Sequence, residues 1–286
     1  MNAVVTQICQ YVFSEEPISV VPILDLGLVN HTFRVEVSTG SFIFRLNASE
    51  HLETYEKEAW CMEAAGSRQI PTSRVHALGV LDSHAYSIQP QILGVTASLL
   101  GESQTSTWEN LGRYARQINQ IPCTPSDFAQ RPWSEQIAHW QCSLPALLST
   151  IKLQGWDALQ IGLGNLASLS LAPSLCHGNI SLRNTIIHPG GTPWLIDWGN
   201  ACAAPAPYWD LSEILAWNRQ PEYAHAFLRG YRLGPEWMDN HHVKTLLILR
   251  QVETIHWASE TWSDWETRDF VIFARGRVLS RFQAEP

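Results

Sequence analysis

The 286-residue sequence predicts an α+β protein with a small strand-rich lobe followed by a larger helical one. Three observations carry this. Between residues 18 and 91, apolar and polar residues alternate in short runs broken by turn residues. From residue 107 onward, apolar residues recur at helical spacing. Between them in character, 175–201 breaks the helical pattern with short apolar runs and turns. The expected division is a β-rich lobe at 1–91, a hinge at 92–97 and a helical lobe at 98–286.

The N-terminal part opens with a short apolar helical pattern over 1–13. Phe33, Val35 and Val37 then alternate with polar neighbours after the turn-like Leu28-Val29-Asn30-His31. Thr39-Gly40 punctuates, and Ser41-Phe42-Ile43-Phe44-Arg45-Leu46 resumes, which together read as a β-hairpin. Tyr55, Ala59, Met62 and Ala65 place a helix over 51–66, and Pro71 stops it. Val75–Val80 and Ala85–Gln91 fit a second strand pair.

Beyond Pro90–Gly94 the pattern becomes helical. Trp108–Ile121 is one predicted helix, with Leu111, Ala115 and Ile118 on a face and Pro122 ending it. Ser134–Ile151 is another, bent or broken at Pro145. Asp210–Trp217, Glu222–Tyr231, His241–Trp262 and Trp265–Phe282 follow.

Composition narrows the function. With 45% hydrophobic and 16% charged residues, the chain is apolar enough to fold around a core. A net charge of −8 argues against a nucleic-acid binder, which needs a basic face, and suits a cationic small substrate. No apolar run is long enough to span a membrane and no signal-peptide pattern opens the chain, so a soluble, cytoplasmic protein is expected. The six cysteines form no C-x-x-C pair and read as free buried thiols. Three lysines stand against sixteen arginines, an imbalance with no functional reading from sequence.

The informative stretch is Leu175–Ala201, LCHGNISLRNTIIHPGGTPWLIDWGNA. His177, Gly178, Asn179 and Asn184 share a loop. A short strand, a Pro189-Gly190-Gly191 turn and a second strand then deliver Asp197. Folded as a hairpin, the two strands bring Asn184 and Asp197 to the same end. Their oxygens, with phosphate oxygens, suit Mg²⁺.

Here the chain resembles the aminoglycoside phosphotransferase and choline kinase superfamily, distant relatives of protein kinases. The family pattern is HGD, four residues, Asn, then a hairpin ending in IDW or IDF. This sequence has His177-Gly178-Asn179, four residues, Asn184, then Ile196-Asp197-Trp198. Leu26-Gly27 to Val35, with Asn30, resembles the opening hairpin. Pro207-Tyr208-Trp209-Asp210-Leu211 resembles the helix start behind the metal loop. The resemblance implies a two-lobed protein-kinase-like fold that binds ATP and Mg²⁺. It implies Arg45 on the phosphates with Glu58 as its acidic partner, and a linker at Gln89–Gly94, represented by Gln91 and Leu93, against adenine. Asn184 and Asp197 would hold the metal, and His177 would brace the loop. Asp210 reads as a helix N-cap. The implied reaction moves a phosphoryl group to a hydroxyl of an aminoglycoside, amino alcohol or sugar.

One position departs from the pattern. Asn179 stands where the family has its catalytic aspartate, and an amide accepts a hydrogen bond but takes no proton near neutral pH. Loss of a general base costs about 10²- to 10⁴-fold, while phosphoryl transfer draws mostly on positioning and electrostatics. Three readings stay open: a slowed or differently based kinase, a nucleotide-binding pseudokinase acting as a binding or regulatory module, and an aspartate deliberately replaced to trap a complex. Trp257, Trp262 and Trp265, interleaved with Glu260, Asp264, Glu266 and Asp269, could meet a cationic substrate, but read first as a solvated acidic face with buried indoles. Glu253 and His256 belong to the same set.

Overall fold

A computed structural model describes residues 1–23, 31–100, 104–128, 130–152, 156–169, 172–217 and 220–282. The expected opening-hairpin features at Leu26-Gly27 and Asn30, with most of the turn 28–31, lie outside the described residues. The chain divides into two compact units, 1–102 with 181–201, and 103–180 with 202–286. The segment 181–201, which chain order puts in the C-terminal half, packs with the first unit.

The first unit is built on a five-stranded antiparallel sheet of order β1-β2-β3-β5-β4, formed by β1 (Ser19–Pro22), β2 (His31–Val37), β3 (Gly40–Ala48), β4 (Ala77–Leu81) and β5 (His84–Pro90). The alternation read from the sequence is its pleat. Phe33, Val35 and Val37 of β2 and Phe42, Phe44 and Leu46 of β3 are buried on one face. Helix α1 (Asn2–Phe13) covers that face with Val5, Ile8 and Cys9. Arg45 is one residue out of step with Phe44 and Leu46, so it lies on the other face, where it meets helix α2 (Leu52–Ser67). β6 (Val95–Thr96) joins β8 (Thr185–Ile187) and β9 (Pro193–Leu195) in a separate three-stranded sheet.

The second unit is helical: α3 (Thr105–Ile118), α4 (Trp133–Thr150), α5 (Trp156–Ala167), α6 (Tyr208–Trp217), α7 (Pro221–Tyr231), α8 (His241–Thr261) and α9 (Asp269–Phe282), with a short ladder of β7 (Pro173–Cys176) and β10 (Cys202–Pro205). Its core joins Ile137, Trp140 and Leu144 of α4 to Leu159 and Leu163 of α5, Leu249 and Val252 of α8, and Val271 of α9. α3 and α7 cross so closely that a Cβ on Gly230 would stand 1.9 Å from the Glu109 carbonyl oxygen.

Several details differ from the sequence reading. α4 runs through Pro145 as one helix rather than breaking there. The span 265–282 is a 3₁₀ turn at Trp265–Thr267 followed by α9, not one helix. α5 was not expected; Gly162 within it lowers helical propensity, yet a Cβ there would stand 2.4 Å from Thr245 Oγ1 of α8. All six cysteines are free, and Cys142 alone among them is exposed.

Candidate functional site

The β8–β9 hairpin fixes the expected juxtaposition. Its register pairs Thr185 with Leu195 and Ile187 with Pro193, and the turn closes through Gly191 N–H to His188 O at 2.7 Å. At the open end Ile196 N–H donates to Asn184 O at 3.0 Å. Asn184 and Ile196 are therefore cross-strand neighbours, and Asp197 follows directly. Ser181 holds the first strand's approach: its carbonyl accepts from Asn184 N–H at 3.1 Å and from Thr185 Oγ1 at 2.8 Å.

Asp197 has φ 62°, a left-handed conformation that aspartate tolerates better than most residues. The neighbouring contacts over-determine it. Leu195 N–H donates to Pro71 O at 2.9 Å, Thr72 Oγ1 donates to Leu195 O at 2.8 Å, and the buried Trp198 donates Nε1–H to Thr72 Oγ1 at 3.0 Å. Non-glycine residues held this way cluster at functional segments.

Arg45 Nη1 donates to Glu58 Oε2 in a buried ion pair, and the guanidinium also lies 5.4 Å from the centre of the Tyr55 ring. Glu58 occupies the buried stripe of α2 with Tyr55, Met62 and Ala65, at 2% exposure. Glu56 points to solvent, as the spacing requires. Burial pushes the Glu58 carboxyl above its usual range against the opposing pull of Arg45, and Asp197 adds to the rise. Burial lowers the Arg45 pKa, but Glu58 and Asp197 more than offset it. Arg45, Glu58 and Asp197 thus form one charged group.

In the linker, Gln91 N–H donates to Ser41 O at 2.9 Å, and Leu93 is 63% exposed.

In the second unit, the loop after β7 is held from behind. Asp210, fully buried in the first turn of α6, accepts from Gly178 N–H at 2.8 Å and from His177 N–H at 3.3 Å. The N-cap reading of Asp210 is therefore corrected: the carboxylate faces the loop backbone. Asn119 extends the network, donating to Asp210 Oδ2 at 2.9 Å and to Leu175 O at 2.8 Å, and accepting from Tyr231 Oη at 2.8 Å. His177 is buried and accepts from Asn179 N–H through Nδ1 at 3.3 Å, in keeping with a bracing role.

The tryptophan-rich C-terminal set is largely engaged internally. Arg268 lies 4.7 Å from the Trp262 ring centre and pairs with Asp264 at 3.0 Å. Arg275 pairs with Glu266 at 3.8 Å and lies over Trp265. His256 reaches Glu260 at 3.4 Å, and Glu253 accepts from Trp140 Nε1 at 2.7 Å. Burial raises the Glu253 carboxyl above its usual range. These contacts favour the structural reading for the charged residues, but Trp257 is 42% exposed rather than turned into the core.

The donor set of the hairpin fits a hard divalent cation only in part. Asn184 and Asp197 supply oxygen, the chemistry Mg²⁺ prefers. Among the described residues no group of three or more His, Cys, Asp or Glu could hold a metal. A cation at this hairpin would need further oxygens, of the kind a nucleotide's phosphates carry.

This architecture is a protein-kinase-like fold. Residues 21–241 match the family model described as the phosphotransferase enzyme family, and the chain belongs to that family. Solved structures agree on the fold. Aminoglycoside phosphotransferase APH(4)-Ia, as a thermostable mutant in apo form, superposes with a TM-score of 0.77 at 17% identity over 98% of each chain. APH(2")-IIia, in complex with GDP and kanamycin, gives 0.71 at 14% identity over 98% of each chain. Spectinomycin phosphotransferase APH(9)-Ia, with ADP and spectinomycin, gives 0.63 at 15% identity, over 100% of this chain and 95% of the other. No curated protein sequence matches the chain significantly.

Proposed function

We propose that the protein is an ATP-dependent phosphotransferase acting on a hydroxyl of a small molecule of the aminoglycoside, amino alcohol or sugar class. The observation that carries this reading is the Ile196-to-Asn184 hydrogen bond, which sets Asn184 beside Asp197 at one end of a hairpin. Relatives of the same fold crystallised with ADP or GDP and an aminoglycoside support it. Net charge −8 fits a cationic acceptor.

In this reading Asn184 and Asp197 would hold Mg²⁺, whose charge would offset that of the nucleotide's phosphates. Arg45 contacts the phosphates, and Glu58 keeps the guanidinium from swinging away. Gln91 and Leu93 belong to the linker at 92–97 and its approach, against the adenine. Asp210 and His177 hold the backbone of the loop that presents Asn179. The Asn179 amide oxygen accepts the hydrogen bond of the acceptor hydroxyl and orients it. Because the amide takes no proton, the hydroxyl proton leaves later, to phosphate or water, and turnover is slow.

Asn179 also favours a second reading, a nucleotide-binding module without useful turnover. Asn179→Asp separates the two. Against a panel of aminoglycosides, sugars and amino alcohols, the variant of a slow kinase raises acceptor-dependent ATP consumption by about 10²-fold or more. No increase with any acceptor, alongside retained ATP binding, supports the module. No binding of ATP and Mg²⁺, with Asp197→Ala indistinguishable from wild type, overturns both.

A further inference from the structure

Lys57 Nζ donates to the carbonyl oxygen of Gly199 at 2.6 Å, joining residues 142 positions apart in the chain. Lys57 is half-buried on α2, next to Glu58. Successive helical residues point about 100° apart, so the two side chains hold different partners. Glu58 holds Arg45 of β3; Lys57 holds the segment just after Asp197. The space between is tight: a Cβ on Gly199 would stand 3.4 Å from both Asp197 Oδ1 and Glu58 Oε1. Glu58 Oε1 is buried and has no hydrogen-bond partner among the described residues, so the two carboxylates face the same small gap.

Two acceptors aimed at one gap repel each other, and Asp197 alone would swing away from Glu58. A cationic tether on the backbone two residues later opposes that movement. The ammonium is a compact charge with three donors, able to hold one carbonyl without the planar fork a guanidinium would impose. In a chain with three lysines and sixteen arginines, the lysine here sits where a compact cation fits.

We infer that Lys57 is a positioning residue for Asp197: through Gly199 it fixes the metal-binding carboxylate relative to the Arg45–Glu58 pair, so that α2 sets the phosphate contact and the metal contact together. This rests on the proposed roles of Asp197 and Arg45. In this role Lys57 acts through the Gly199 carbonyl.

The test uses the full chain, Mn²⁺ as the spectroscopic metal and a non-hydrolysable ATP analogue. Outer-shell partners typically change metal affinity by 10- to 100-fold. Lys57→Met is expected to weaken Mn²⁺ binding to the protein–nucleotide complex about 10-fold. Metal-free nucleotide affinity and melting temperature should stay near wild type, amide exchange at 197–201 should quicken, and Lys57→Arg should restore part of the metal affinity. Unchanged Mn²⁺ affinity and exchange in Lys57→Met overturns the inference. So does a parallel fall in metal-free nucleotide affinity and melting temperature, which marks a merely structural lysine. If the wild-type chain binds nucleotide but no Mn²⁺, or neither, the proposed function fails first, and the inference falls with it even where exchange at 197–201 responds.

Discussion

Asp210 Oδ1 accepts the backbone N–H of Gly178 at 2.8 Å, so a fully buried carboxylate on α6 holds a loop thirty-two positions earlier. The same carboxylate serves His177 N–H and the Asn119 amide. Removing it strands several buried donors at once. Asp210→Ala is expected to lower unfolding free energy by about 2 to 4 kcal/mol, more than Tyr231→Phe, which removes only the outermost bond of the network. Urea unfolding of the two variants checks the order; equal losses would show that the carboxylate does not organise the network.

The Arg45–Glu58 pair gives a double-variant prediction. Arg45→Met leaves a buried carboxylate without its partner and costs about 3 to 5 kcal/mol. Adding Glu58→Met removes the stranded charge and recovers most of that loss. Thermal unfolding of the two variants is sufficient, and a double variant less stable than Arg45→Met would overturn the pairing.

Gly230→Ala places a methyl group against the Glu109 carbonyl oxygen, which belongs to backbone and cannot rotate away. α3 and α7 must separate, and overpacking of this kind costs about 1 to 3 kcal/mol. By contrast Gly276→Ala, where a Cβ meets nothing within 4 Å, is expected to be neutral or slightly stabilising through helix propensity. Melting temperatures of the pair decide it.

Alkaline pH tests the burial of Tyr55. Burial raises its phenol from 10.0 to about 12. The folded chain then holds the proton more tightly than the unfolded chain. The stability it contributes is full below about pH 10 and disappears as pH rises towards 12. Tyr55→Phe has no proton to lose there, so its stability should fall less steeply across that window, as followed by denaturant midpoints at several pH values.

Much of the candidate site is legible in the sequence because it is written locally. His177 to Asn184 and Ile196-Asp197-Trp198 lie within one stretch of 22 residues, and a short hairpin needs only its two strands and a Pro-Gly-Gly turn to be seen. Arg45 and Glu58 are named by the family resemblance; by pattern alone, a cation on an alternating strand reads equally as a surface arginine. The contacts of Lys57 and most of those of Asp210 leave no mark in the sequence because they run to backbone groups far away in the chain, and any residue supplies an N–H or a C=O. α5 was missed although Leu159, Leu163 and Leu166 repeat at helical spacing, since Gly162 masked the period. Cys202–Pro205 is a strand too short and too alanine-rich to carry a pattern of its own.

Residues 181–201 complete the first unit, although they lie some eighty positions beyond its main part. On the ribosome, the sheet of β1 to β5 emerges long before the hairpin. At about 5 to 20 residues per second, the nascent N-terminal part waits roughly 5 to 20 s for its last strands. Through that interval β6 has no partner strand, and Arg45 and Glu58 stand without Asp197. A gene fragment ending near residue 102 is therefore not a domain in the folding sense, and grafting or splitting this protein at that point would yield an open, aggregation-prone half.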